Sequence, residues 1–185
     1  LLLGVGSAWG ETITAGDDGY YHITDKSTWS KFARTVNGTG GYTQNVNLNA
    51  KLDADVTIND DGDFQNGFIV GNGVTPSGGV TAIYTGTFDG QGHTLSFTKT
   101  LSVEALAPFG NASGATIKNL KVQGALSSDK QYIAGIVGKV GSTGITIENC
   151  WSDLTITYTG TSDACCAGIL GRSNGTTTIK NCLVT

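Results

Sequence analysis

Two groups of residues in this chain carry side chains suited to chemistry. Asp89 and His93 bracket the turn Asp89-Gly90-Gln91-Gly92-His93 and offer an acid and a base. Four cysteines, Cys150, Cys165, Cys166 and Cys182, offer thiols. Glu148, Asp153 and the acidic run Asn59-Asp60-Asp61-Gly62-Asp63 add carboxylates. Each group meets an objection. Asp89 is a natural turn former beside glycines, and His93 opens a predicted strand. An inverting glycosidase needs two carboxylates facing each other across a groove. No Asp or Glu pair recurs on one predicted face, and Glu148 and Asp153 fall on either side of a predicted bend. The nucleophile-elbow, zinc-protease and phosphate-loop motifs are missing from the sequence. No catalytic residue is assigned.

Metal and cofactor chemistry fares no better. The cysteines form no CxxC pair and have no histidine nearby, which argues against zinc. The acidic run lacks the alternating ligands and the closing bidentate Glu of a calcium loop, so it reads as a solvated acidic loop. No metal and no cofactor is expected. Three aromatic residues, Tyr132, Trp151 and Tyr158, read as outward-facing and offer rings for stacking on sugars. They fit ordinary outward strand positions equally well.

What positions these residues is a repeat. Ala134-Gly135-Ile136-Val137-Gly138 returns as Ala167-Gly168-Ile169-Leu170-Gly171. A weaker copy, Ala107-Pro108-Phe109-Gly110, precedes them. Aligned, the three segments superpose Gly110, Gly138 and Gly171, then Ile117, Ile147 and Ile179, then Asn119, Asn149 and Asn181. The Asn-to-Asn intervals are 30 and 32 residues. A unit of this length built of short strands and Gly turns cannot bury a face alone, but stacked copies can. The unit has no helix, which excludes ankyrin and tetratricopeptide arrays, and a propeller blade needs a longer repeat. The expectation is an all-β, right-handed parallel β-helix with coils over 46–185 and repeats at about 107–124, 134–153 and 167–185. Identical positions of successive coils then lie over one another, so Asn119, Asn149 and Asn181 form a hydrogen-bonded ladder at a bend.

The alignment also places the thiols. Cys150 and Cys182 fall in the slot of Leu120, and Cys166 in the slot of Leu106 and Ile133, which are core positions. Free thiols in a core explain them without oxidation, and a disulfide between the stacked Cys150 and Cys182 is the alternative. Cys165 aligns with Tyr132 and faces out.

Upstream, Trp29, Phe32, Ala33 and Val36 share one face of a helix at about 27–37. Asp25, Ser27 and Thr28 supply N-cap oxygens, and Asn37-Gly38 supplies a stop. With a short strand before it, this helix forms an N-terminal unit over 11–45. Its apolar face is suited to plug the open end of the solenoid, which otherwise exposes an unpaired edge. Residues 57–80, rich in turn formers, read as a long loop. The chain ends just inside a coil, so it reads as truncated at its C-terminus.

Composition agrees with an all-β chain: 185 residues, 14% charged, 28 Gly, 2 Pro and no Met. A net charge of −4 without a basic stripe disfavours nucleic-acid binding. Residues 1–10, Leu-Leu-Leu-Gly-Val-Gly-Ser-Ala-Trp-Gly, read as the remnant of a signal peptide cut before Glu11. No stretch of the sequence is long and apolar enough for a transmembrane helix.

The motif A-G-[IL]-[VL]-G followed by T-I-x-N-[CL] resembles the GLUG motif of bacterial surface and secreted proteins. The helix segment Trp29–Asn37, with Phe32, Ala33 and Val36, the strand Leu52–Ile58 and the segment Gly86–Leu95 are similar to the usual lead-in to such arrays in anaerobic gut bacteria. The resemblance covers most of residues 25–185. It implies a right-handed parallel β-helix on large secreted or cell-surface, adhesin-like proteins. With the three aromatics, the expectation is a module that binds host or dietary glycans or another surface protein, or acts as a spacer. The turn at Asp89 also resembles the one opening the β-helix of pectin-degrading enzymes. That leaves a polysaccharide lyase or glycoside hydrolase fragment, with its catalytic coils elsewhere, as the alternative.

Overall fold

The computed structural model describes residues 11–59, 67–72 and 82–185. The expected signal-peptide remnant and most of the acidic run at 59–63 lie outside the described residues.

The chain opens with β1 (Tyr21–Ile23) and helix α1 (Lys26–Asn37). It then winds through β2 (Ala50–Leu52) and β3 (Val56–Ile58), followed by β4 (Thr87–Asp89), β5 (Thr94–Phe97) and β6 (Lys99–Thr100). The next coil holds β7 (Phe109–Ala112), β8 (Ala115–Lys118) and β9 (Lys121–Ser128). The one after it holds β10 (Ile133–Ala134), β11 (Val137–Val140), β12 (Ile145–Glu148) and β13 (Trp151–Tyr158). The last holds β14 (Cys166–Ala167), β15 (Leu170–Ser173), β16 (Thr177–Lys180) and β17 (Leu183–Val184).

Every strand pairing is parallel and joins one coil to the next, giving a β-helix of about five turns. One face is the sheet β1-β2-β4-β8-β12-β16, a second is β3-β5-β9-β13-β17, and a third is β7-β11-β15. Register follows the repeat: Phe109, Val137 and Leu170 stack, as do Ile117, Ile147 and Ile179. The first repeat closes the pentapeptide corner with one residue fewer, Pro108 standing where the next coil has Gly135-Ile136.

The recurring pentapeptide has a steric cause. A Cβ on Gly135 would collide with the Gly168 carbonyl oxygen of the next coil and with Ser152 Oγ. One on Gly138 would lie 2.7 Å from Ala105 Cα. Coils about 4.8 Å apart leave no room for a side chain at these corners.

Helix α1 caps the first coils as expected. Asp25 is the N-cap in a reciprocal capping box with Thr28, and Gly38 ends the helix in the left-handed region at φ 65°. Trp29, Phe32 and Val36 are fully buried. The Trp29 ring meets Phe88, Phe97 and Phe109 edge-on at centroid distances of 5.7, 6.5 and 6.0 Å. Its indole N–H donates to the Phe68 carbonyl at 2.8 Å.

Two expectations need correction. The segment 57–80 is not simply a loop, because Phe68, Ile69 and Val70 are buried and Val70 pairs with Phe109. Asn37 fastens this segment beneath the helix, donating to Ile69 O at 2.8 Å and accepting from Asn72 N at 2.9 Å. Cys166 is exposed, although it pairs with the fully buried Ile133. Its coil has no neighbour stacked over it in the structure, so a slot that is core in one coil is open in the last. The same geometry leaves Ile179, Leu183 and Val184 about half exposed.

Candidate functional site

The corner between the β4-β8-β12-β16 face and the β5-β9-β13-β17 face collects most of the singled-out polar residues. Asn119, Asn149 and Asn181 turn this corner with φ of 53°, 54° and 52°. Asn tolerates the left-handed region better than other non-glycine residues, which is why it recurs here. The ladder forms: Asn181 Nδ2 donates to Asn149 Oδ1, and Asn149 Nδ2 to Asn119 Oδ1, both at 3.2 Å.

The ladder continues past the asparagines. Asn119 Nδ2 donates to Asp89 Oδ1 at 3.0 Å. Gln91, also left-handed at φ 51°, donates to Leu52 O at 2.7 Å and to Asp53 Oδ1 at 3.1 Å. Asp53 Oδ2 lies 2.6 Å from His22 Nδ1, and His22 Nε2 lies 3.2 Å from Asp18, which Lys51 holds at 2.7 Å. Asp53 first and Asp18 second raise the His22 pKa. Lys51 above all holds Asp18 well below the usual carboxylate range.

Asp89 and His93 do not form an acid–base pair. His93 Nδ1 faces Asp55 at 3.4 Å. Burial alone would raise the Asp89 pKa, but Asn119, the Gln91 N–H and Lys118 outweigh it and hold the group ionised. An ionised, fully engaged carboxylate cannot serve as a general acid. Glu148 and Asp153 lie on β12 and β13, on either side of the corner, and Glu148 pairs with Lys180 at 3.3 Å.

The three aromatics do not make one platform. Tyr132 is buried rather than exposed: its ring packs near Lys139 and Arg172, and its hydroxyl accepts from Arg172 at 2.6 Å. Tyr158 is half-buried and donates to Ser162 O at 2.7 Å. Trp151 is half-buried, with its indole N–H on Thr185 Oγ1 at 2.9 Å and Lys121 Nζ 4.0 Å from the ring centre. Trp151 and Tyr158 stand at opposite ends of β13, about 23 Å apart at strand rise. Tyr132 precedes β10, on another side of the solenoid.

Beside the ladder runs an open groove of about 580 Å³, lined by Asp89, Gln91, Asn119, Lys121, Asn149 and Trp151. Sequence reasoning singled out Trp151 and the ladder but missed Gln91 and Lys121. The signal for Lys121 was present, since it shares an alignment column with Trp151 and Leu183.

The thiols are all free. Cys150 is buried, which pushes its pKa up to about 12, while Cys165 and Cys166 are exposed. Among the described residues no group of three or more His, Cys, Asp or Glu is placed to hold a metal ion. Among them, too, no helix is long and apolar enough to cross a membrane. Comparison with protein-family models, curated proteins and solved structures found no match to the chain.

Proposed function

We propose that this chain is a non-enzymatic β-helix module of a secreted or cell-surface protein, a stiff support that binds ligands along its outer corner. One observation carries the reading: the side chains best equipped for chemistry are spent holding coils in register. Asp89 anchors the asparagine ladder, Asp53 joins His22 to Gln91, and Glu148 pairs across coils with Lys180. These contacts fix geometry and leave Asp89, Asp53 and Glu148 engaged rather than poised to transfer a proton. The resemblance of the repeats to GLUG arrays supports an adhesin-like or spacer role at the cell surface. The corner groove, with its amides, one carboxylate, one cation and one indole, supports glycan binding over a purely structural task.

The test is a glycan array probed with the full chain, together with an assay for new reducing ends and unsaturated products on the glycans retained. Retention without cleavage is expected. New chain ends would replace this reading with a lyase or hydrolase. Absence of both would leave the module as a spacer.

A further inference from the structure

The corner groove exists because successive coils turn the corner with different numbers of residues. Four residues, Gly90 to His93, connect β4 to β5. Two connect β8 to β9, Asn119 and Leu120, and two connect β12 to β13, Asn149 and Cys150. The longer turn therefore stands out as one wall. Two coils further on, about 10 Å along the solenoid, the Trp151 indole forms the other wall. Lys121, in register between Thr94 and Trp151, lies on the floor between them.

Lys121 differs from the other lysines around it. Lys51, Lys118, Lys130, Lys139 and Lys180 each meet a carboxylate. Lys121 makes no ion pair at contact distance among the described residues; its ammonium rests on the Trp151 ring, and its charge acts on Asp55 only from further off. A cation–π contact orients an ammonium without neutralising it. The neighbouring acids are already engaged: Asp89 by Asn119, Lys118 and the Gln91 N–H, and Asp55 by His93 and the Thr94 N–H. Asn119 and Asn149 each use one amide N–H in the ladder, and a side-chain amide has a second. The floor therefore offers free donors around Lys121, while the acceptors that line it, Asp89 and the ladder amide oxygens, are already engaged.

We infer that this groove binds a saccharide carrying an anionic group, a carboxylate or a sulfate ester, with Lys121 as its charge partner and Trp151 as a wall. Sugar hydroxyls accept from the ladder amides, and the anionic oxygens take the Lys121 ammonium. A single cation in the groove, on a chain of net charge −4, suits a spaced negative charge on a neutral frame, not the dense phosphates of a nucleic acid. The inference rests on the binding half of the reading above.

The experiment is calorimetric titration of the full chain with three oligosaccharides of equal length: a galacturonate, a sulfated oligomer and a neutral one. The wild type, Lys121→Gln and Trp151→Ala are compared, with circular dichroism and melting temperature checking that each is folded. At least one anionic oligomer should bind, and the pair of anionic arms separates carboxylate from sulfate. Lys121→Gln should weaken that binding about tenfold or more, the size of one charge-assisted hydrogen bond. Added salt should weaken it too. Equal binding of the neutral oligomer, lost in Trp151→Ala but kept in Lys121→Gln, would overturn the charge assignment while leaving the module a glycan binder. Binding of none of the three would overturn the inference and leave the supporting role. Cleavage of any oligomer would instead strike the non-enzymatic reading.

Discussion

Replacing Asn149 by alanine tests whether the asparagine ladder holds the coils together. Asn149 sits at φ 54°, where alanine is strained by about 1–2 kcal/mol. Its side chain makes two ladder bonds, one to Asn119 and one from Asn181. Both lie at the exposed corner, so each is taken at the low end of a net hydrogen bond, about 0.5 kcal/mol. The backbone bond from Asn149 N–H to Lys180 O survives the change. Asn149→Ala should thus cost about 2–3 kcal/mol. Asn149→Gly loses the same side-chain bonds without the strain, but adds about 0.5 kcal/mol of unfolded-state entropy. Its cost should be about 1.5 kcal/mol. Urea unfolding at neutral pH, followed by far-UV circular dichroism, measures both, with equal m-values as the check that the unfolding reaction is the same. If glycine costs as much as alanine or more, the left-handed backbone is not why Asn recurs at this corner. If both variants lie within about 0.5 kcal/mol of the wild type, the ladder holds nothing.

Trp29→Ala empties the middle of the aromatic plug and should cost about 3–5 kcal/mol, or about 6–20 °C in melting temperature for a chain of this size; a drop of only a degree or two would mean that α1 is not holding the end closed. At pH 8 the Cys150 thiol, with its pKa near 12, has a thiolate fraction of about one in ten thousand. Iodoacetamide mapping by mass spectrometry should therefore label Cys165 readily and leave Cys150 unmodified until the chain unfolds; rapid labelling of Cys150 would contradict its burial. His22 has a raised pKa in the fold, so its stabilising contacts to Asp53 and Asp18 are complete below its unfolded pKa of about 6.5 and fade as pH rises through the folded value. Melting temperatures of wild type and His22→Gln should differ most in mildly acidic buffer and converge once the pH has risen through the folded value, and a gap that widens with pH would reverse the sign of this argument.

Much of the architecture was legible because it is periodic. The intervals between Asn119, Asn149 and Asn181, together with the recurring pentapeptide, were enough to place strands in register and name the ladder. The helix was legible from Trp29, Phe32, Ala33 and Val36, because an amphipathic stripe followed by Asn-Gly leaves few alternatives. Phe68, Ile69 and Val70 were not, since a three-residue core segment flanked by turn formers has no periodicity to detect. Tyr132 was misplaced because an alignment column says which residues stack but not which side of the coil they face at a corner.

The repeat, the stacking of equivalent residues and the need for a plug can all be read from residue spacing, since each depends on intervals within or between neighbouring coils. The groove emerges only once the coils are stacked in space. It arises where a four-residue turn stacks beneath two-residue turns, which brings Gln91, Lys121 and Trp151 to one wall-and-floor arrangement across three coils. The same stacking decides that Asp89 anchors the ladder and that His93 looks to Asp55. These are contacts between side chains about 30 to 40 residues apart, fixed by how unequal turns superpose in space, and no spacing rule carries that information.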